Sequence, residues 1–282
     1  MGEANVFETI NREYYDLTAS EKKLADFLMA HQEESQYMSI AELADECGVA
    51  EATVSRFCRR LGYKGYNASK LAIANATAGI RRENDLRERE GDSLEEMSAR
   101  ICAADTAALT QTLSLLKPEA IRQAVDLLRE AGQVYCMGQG GSMLIASEAA
   151  HLFTTASEKF FPVSDSHLQM IRAANMNARD AVLFFSYSGA TRDMMETLSV
   201  ARARGARIIL VTRFSKSPGS SLADVVLQCG AKESPLQIGS VAAKIAQLYL
   251  LDVLFAEYCQ RDPESAAERR ERIAAALADK HL

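Results

Sequence analysis

The chain has 282 residues, of which 48% are apolar and 25% charged. At roughly 150 residues per domain that length suits two domains, and the balance excludes collagen-like, low-complexity and largely disordered chains. The formal net charge of −6 argues against a wholly basic nucleic-acid binder.

That average conceals an asymmetry along the chain. Residues 1–51 hold 3 basic and 12 acidic residues, whereas residues 52–82 hold 7 basic and none acidic: Arg56, Arg59, Arg60, Lys64, Lys70, Arg81 and Arg82. A basic run of this kind is either a solvated face or a polyanion footprint. The surrounding elements decide. Thr18-Ala-Ser-Glu21 and Ser39-Ile-Ala-Glu42 both match the capping box, so two helices begin there. The first carries Leu24, Phe27 and Leu28 on one face, and the second carries Ile40, Leu43 and Ala44 and stops near Cys47-Gly48. A third helix follows within three residues. Its Val54, Phe57, Cys58 and Leu61 point inward and leave Glu51, Ala52, Thr53, Ser55, Arg56, Arg59 and Arg60 outward. Two helices joined by a short glycine turn, the second with a basic outer face, form the helix-turn-helix pattern. Small residues at the start of the third helix admit its N-terminus to base edges, its arginines reach phosphate or guanine, and Lys64 and Lys70 extend the backbone contacts.

Ala52-Thr-Val-Ser-Arg-Phe57 and Leu61-Gly-Tyr-Lys-Gly-Tyr66, preceded by Ser39-Ile-Ala-Glu-Leu-Ala44, resemble the N-terminal domain of the RpiR family of bacterial transcriptional regulators. Two departures stand out. Ala50 occupies the place where the family often has a Ser that caps the recognition helix, and Ser69 the place where an aromatic residue is common. The first leaves an N-terminal backbone donor open to water or DNA phosphate.

The nearly all-charged run over 81–92 predicts a linker. Beyond it Ser93-Leu-Glu-Glu96 starts another helix, apolar residues continue to Leu116, and Lys117-Pro118 breaks it before a helix over 119–131. From Gln133 the texture changes. Short apolar runs at 134–137, 160–163, 182–185, 208–211 and 225–227, separated by helical stretches, predict five buried strands of a parallel sheet with helices on both faces. Ligands of such sheets bind beyond the carboxyl ends of the strands. Two loops there carry suitable chemistry: Gly138-Gln-Gly-Gly-Ser142, and Ser186-Tyr-Ser-Gly-Ala-Thr191. Glycines bring backbone amides close to a ligand, a helix start adds free donors and partial positive charge, and the hydroxyls add more, which together make a phosphate cradle. Neither a G-x-G-x-x-G run nor an acidic residue ending the second strand is present, so dinucleotide binding is disfavoured and no cofactor is expected.

With Ser221-Leu-Ala-Asp224 and Gly239-Ser240, these loops resemble the sugar isomerase (SIS) domain that binds phosphosugars, over about 120–258. The resemblance implies a phosphate held at Gly140, Gly141, Ser142, Ser186, Ser188, Gly189 and Thr191, with Glu233 facing the sugar hydroxyls. It also implies a homodimer, or a tetramer built from such dimers. The predicted organisation is an all-α helix-turn-helix domain over 1–80, the linker over 81–92, an α/β three-layer SIS domain over 93–262, and a helical tail over 263–282.

The SIS fold also occurs in isomerases and lyases. Glu233 is the best candidate base for that chemistry, but no convincing acid/base partner accompanies it, and His151, inside an apolar helix, reads as a packed residue. The Ser-rich run 215–221 reads as a loop. Six cysteines without a C-x-x-C pair predict neither disulfides nor a metal site. Charges among the first thirty residues interrupt any signal-peptide core, and polar residues break the most apolar stretch, 241–258, which reads as a core helix. The expectation is a cytoplasmic regulator of sugar or amino-sugar genes, acting as a repressor on double-stranded operator DNA under a phosphosugar effector. A sugar-phosphate isomerase or lyase is the alternative.

Overall fold

Among the described residues, eight α-helices precede the first strand of a five-stranded α/β layer structure. The computed structural model describes residues 5–84, 92–231, 233, 235 and 240–278, and of 78–84 the backbone alone. The chain divides into two units: Met1–Thr106 with Lys232–Ser240, and Ala107–Ala231 with Val241–Leu282. The division falls inside a helix, downstream of the charged run expected as a linker, of which residues 85–91 lie outside those described.

The first unit begins with α1 (Val6–Glu13), α2 (Ala19–Ala30), the short α3 (Gln32–Ser35), α4 (Ile40–Glu46), α5 (Glu51–Arg60) and α6 (Tyr66–Asn84). Both predicted capping boxes form: the Thr18 and Ser39 side chains accept from Glu21 and Glu42 backbone N–H groups while those carboxylates accept from the cap N–H in return. The core joins Ile10, Leu24, Leu28, Leu43, Val54, Phe57 and Ile73. Each such side chain taken out of water contributes roughly 1.5–3 kcal/mol, enough to hold short helices that would be marginal alone. Phe27 is only partly buried and stacks on His31, with ring centroids 4.5 Å apart. Ser69, in the place where the family often has an aromatic residue, is buried and hydrogen-bonded with Cys58, whose thiol burial pushes up.

The connecting helix α7 (Leu94–Leu115) starts on the Ser93/Glu96 pair and gives way at Pro118 to α8 (Pro118–Glu130). The second unit then alternates β1 (Gln133–Gly138), α9 (Gly141–Thr154), β2 (Phe160–Val163), α10 (Ser166–Asn175), β3 (Asp180–Phe185), α11 (Arg192–Ala203), β4 (Arg207–Thr212) and β5 (Val225–Gln228). Helix α12 (Val241–Gln260) and helix α13 (Pro263–Leu277) follow. All strand pairs are parallel, in the order β2-β1-β3-β4-β5. Every residue of β3 is buried, as expected of a central strand covered on both faces.

One face of the sheet packs against α8, α9 and α12 through Val125, Ile145, Phe153 and Leu254, and the other against α10 and α11 through Ala173, Met194 and Leu198. Right-handed crossovers explain the split: the chain moves from β1 outward to β2 and then back across to β3, so α9 and α11 land on opposite faces. The tail forms α13, which buries Ala266 and pairs Arg269 with Glu158 of the same unit; residues 279–282 lie outside those described. All six cysteines are free thiols. No described helix is long and apolar enough to cross a membrane.

Candidate functional site

The turn between α4 and α5 depends on Gly48, at φ +61, a conformation L side chains rarely adopt. Its N–H donates to Asp45 O at 3.1 Å, and Val49 N–H donates to Ala44 O at 2.9 Å, closing α4. Ala50 is extended (φ −79, ψ 149) as a helix cap should be, yet it offers no side-chain acceptor, so α5 starts uncapped. Val54, Phe57 and Cys58 anchor α5 in the core, and Glu51, Ala52, Arg56 and Arg59 are exposed, with Thr53 and Ser55 half-buried beside them. The Arg56 guanidinium donates to Thr53 Oγ1 at 3.2 Å, its one recorded bond, and stays available to a ligand. Lys64 is exposed in the turn beyond α5.

Arg60 differs from its neighbours. Its guanidinium donates to Asp16 O at 2.6 Å and to Glu21 Oε2 at 3.3 Å, tying the end of α5 to the start of α2. Burial works to raise the Glu21 pKa, but the Thr18 hydrogen bonds and the Arg60 and Arg56 charges outweigh it, and the carboxyl ends below its ordinary value. Lys70 is half-buried on α6, and burial lowers its pKa to about 8 against the opposing pull of Glu42 and Glu233. Both cations therefore carry intramolecular work that the charge pattern alone does not reveal.

In the second unit the loops after β1 and β3 emerge side by side, because Gly138 pairs with Phe185 at the carboxyl end of the sheet. The strand order reverses here, and the helices these loops feed lie on opposite faces, so a crevice opens between them. In the first loop Gly140, at φ +53, caps α9 without any side-chain bond. A Cβ on Gly138 would lie 2.7 Å from Ser142 O, which fixes glycine at that position. Gln169 Nε2 donates to Gly138 O at 2.9 Å and Val163 O at 2.8 Å, clamping the loop base between β1 and β2. Gly141 and Ser142 open α9 half-buried.

The second loop is just as tightly made. Ser186 is buried, and its Oγ accepts from Gly189 N–H at 3.2 Å; Ser188 is exposed, with its Oγ accepting from Ala190 N–H at 3.3 Å. Gly189 has φ +59, and its carbonyl accepts from Gly219 N–H at 2.8 Å. The Ser-rich run after β4 thus braces this loop from behind, with Ser217 and Ser220 hydroxyls 2.7 Å apart. Thr191 caps α11 by position but makes no cap hydrogen bond, leaving its hydroxyl and the first-turn amides open. The two loops together present helix-start amides and small hydroxyls without a carboxylate, a set suited to an oxyanion.

Glu233 groups with the first unit, where its Oε1 accepts from Ser240 N–H at 3.2 Å; Gly239 lies outside the described residues. His151, expected to be packed, is instead 76% exposed in its side chain and sits 3.5 Å from Glu148 Oε1. The reason is register: α9 buries Ile145, Ala146, Ala149, Ala150 and Phe153, while Leu144, Glu148 and His151 share the opposite, wet face. Among the described residues no cluster of His, Cys, Asp and Glu could hold a metal ion. Sequence reasoning also passed over Gln139, whose side-chain amide is buried without a partner.

Residues 4–79 match the family described as helix-turn-helix domain, rpiR family, and residues 127–257 match the SIS domain. An HTH-type transcriptional regulator of Caldanaerobacter subterraneus is 30% identical over 91% of this chain and 91% of its own. The chain belongs to the RpiR family. Another relative, the HTH-type transcriptional regulator HexR of Pseudomonas aeruginosa, is 30% identical over 89% of this chain and 87% of its own. Among solved structures, the Vibrio vulnificus NanR protein complexed with ManNAc-6P matches with a TM-score of 0.88 and 24% identity, covering 99% of this chain and all of that one, and so shares the fold. This RpiR-family chain is therefore a transcriptional regulator that joins a DNA-binding helix-turn-helix domain to a SIS domain.

Proposed function

We propose that the protein is a repressor of sugar or amino-sugar metabolism genes, released from its operator by a phosphorylated sugar. The observation that carries this is that the two glycine- and hydroxyl-bearing loops leave adjacent strands at the β1/β3 crevice and open helices with no side-chain cap; in this reading Gly140, Gly141, Ser142, Ser186, Ser188, Gly189 and Thr191 hold the phosphate. The phosphosugar bound by NanR supports the same ligand class here. Glu51, Ala52, Thr53, Ser55, Arg56, Arg59 and Lys64 meet the DNA, with Arg60 positioning α5 through Asp16 and Glu21.

A homodimer presents two α5 helices to a two-fold operator. Exposed Leu144, Leu168 and Ile171, at 64%, 52% and 55%, support a partner surface on the second unit. The effector changes affinity by preferring one arrangement of the dimer. A coupling of about 1–3 kcal/mol suffices for a 5- to 150-fold change in operator binding.

In this reading the SIS domain senses its ligand and does not convert it: His151 and His167 are both exposed, and the relatives of the whole chain are transcriptional regulators. The test is a thermal-shift panel of hexose, pentose and amino-sugar phosphates on the full chain, with each stabilising compound then tested for release of operator DNA and recovered for analysis. At least one compound raises the melting temperature, frees the DNA and returns unchanged, and Ser188→Ala weakens the shift. A converted compound supports the isomerase alternative, and a panel without any shift refutes effector control.

A further inference from the structure

Gln139 lies between two glycines in the loop after β1, and neither Oε1 nor Nε2 of its buried amide has a hydrogen-bond partner. An unpaired buried amide has lost water without compensation, so its bonds are expected to be completed in the working state. The backbone around it has little freedom to move the side chain elsewhere. Gly138 is clamped through Gln169, and Ser142 N–H and Met143 N–H donate to the Gln139 and Gly140 carbonyls at 3.1 Å each. The backbone that carries the amide is thus fixed in the crevice loop, one residue from the Gly140 cap of α9.

Its chemistry says what it pairs with. The phosphate of a phosphosugar finds donors in the helix-start amides and in the Ser142, Ser186, Ser188 and Thr191 hydroxyls, and an anion would satisfy only the Nε2 half of the Gln139 amide and leave Oε1 unpaired. A neutral group with a donor and an acceptor side by side matches a partner that is itself both, such as a sugar hydroxyl or an acylamino group. We propose that Gln139 is a specificity-determining residue of the effector site, pairing through its amide with an uncharged hydroxyl or acylamino group of the phosphosugar. This rests on the reading of the two loops as a phosphosugar site.

The full chain and its Gln139→Leu, Gln139→Met and Ser188→Ala variants are titrated by calorimetry with inorganic phosphate, hexose 6-phosphates and 2-acetamido-hexose 6-phosphates. Loss of a bond to a desolvated partner lowers affinity about 10- to 100-fold. The Leu and Met variants lose that much for the preferred sugar phosphate and bind inorganic phosphate as before, so discrimination between the sugars collapses. Ser188→Ala weakens every phosphate compound alike. Replacing an unpaired amide by an apolar side chain does not endanger the fold, and two variants guard against a packing artefact. Sugar-phosphate affinity within twofold of the parent in both variants overturns the role of Gln139 and leaves the phosphosugar site standing. If the unsubstituted chain binds no sugar phosphate, the site reading itself fails, and the inference with it.

Discussion

In the proposed reading, the two units meet anions by opposite means. On the first, Arg56, Arg59 and Lys64 project charge from an exposed surface, whereas the loops 138–142 and 186–191 of the second contain no lysine or arginine at all. A duplex is a long, mobile polyanion, so several outlying cations serve it through counterion release, and their effect falls steeply with salt. A single phosphate in a crevice is served better by fixed amides and hydroxyls, which need no rearrangement on binding and resist screening. The difference predicts where each unit is fragile. Long exposed cations can be removed with little cost to the fold, while a cradle made of backbone cannot be altered without disturbing the chain itself.

The severest break of that contrast is Gly189→Ala. Its φ of +59 is unfavourable for any L side chain, and the new Cβ would lie 2.3 Å from Ser217 Oγ and 3.0 Å from Thr212 Oγ1. Strain of that kind costs about 2–3 kcal/mol. Chemical denaturation followed on the second unit shows the loss, effector binding goes with it, and operator binding by the first unit persists. Parental stability in this variant would mean that the loop is not the rigid cradle described.

Arg56→Ala runs the other way. With one hydrogen bond, to Thr53, and a minor charge contact with Glu21, Arg56 leaves the melting temperature nearly unchanged when removed, while operator affinity falls by roughly 1–3 kcal/mol if its guanidinium reads a base. Titrations on operator and on random duplex at several salt concentrations separate the roles. An equal loss on both, with a shallower salt slope, makes Arg56 a phosphate contact; no loss on either removes it from the interface.

The same contrast governs what the sequence disclosed. The strands and both candidate loops were legible because buried parallel strands are continuous apolar runs and tight strand-to-helix turns demand glycine. The capping boxes were legible because their two side chains are local, three residues apart. Helix α1 was missed although Asn5 caps it through Phe7 N–H, since its buried Val6, Phe7 and Ile10 make too short a pattern to stand out. The long α6 was missed because alanines carry little periodic signal. His151 was misplaced because small neighbours made its whole helix look apolar, although Glu148, three residues earlier, marks the wet face. The tether of Arg60 to Asp16, and the unpaired amide of Gln139, depend on residues brought together by the fold or on burial alone, and no spacing rule encodes either.

The smallest effect tests the boundary between the two modes, at the start of α5. The Ala50 backbone already has cap geometry, and its carbonyl accepts from Thr53 N–H at 2.8 Å and Val54 N–H at 3.3 Å; what the helix lacks is a side-chain oxygen for the remaining first-turn donors. Ala50→Ser supplies one without altering the buried Val54, Phe57 or Cys58, so urea denaturation shows a gain of about 1 kcal/mol in the first unit. Helices α2 and α4, which flank the same core and start on capping boxes, set the standard for that gain. No gain would mean that the open donors of α5 are already satisfied in the free protein, and the helix start would then lose its likeness to the sheet loops, whose backbone donors are held ready for an anion.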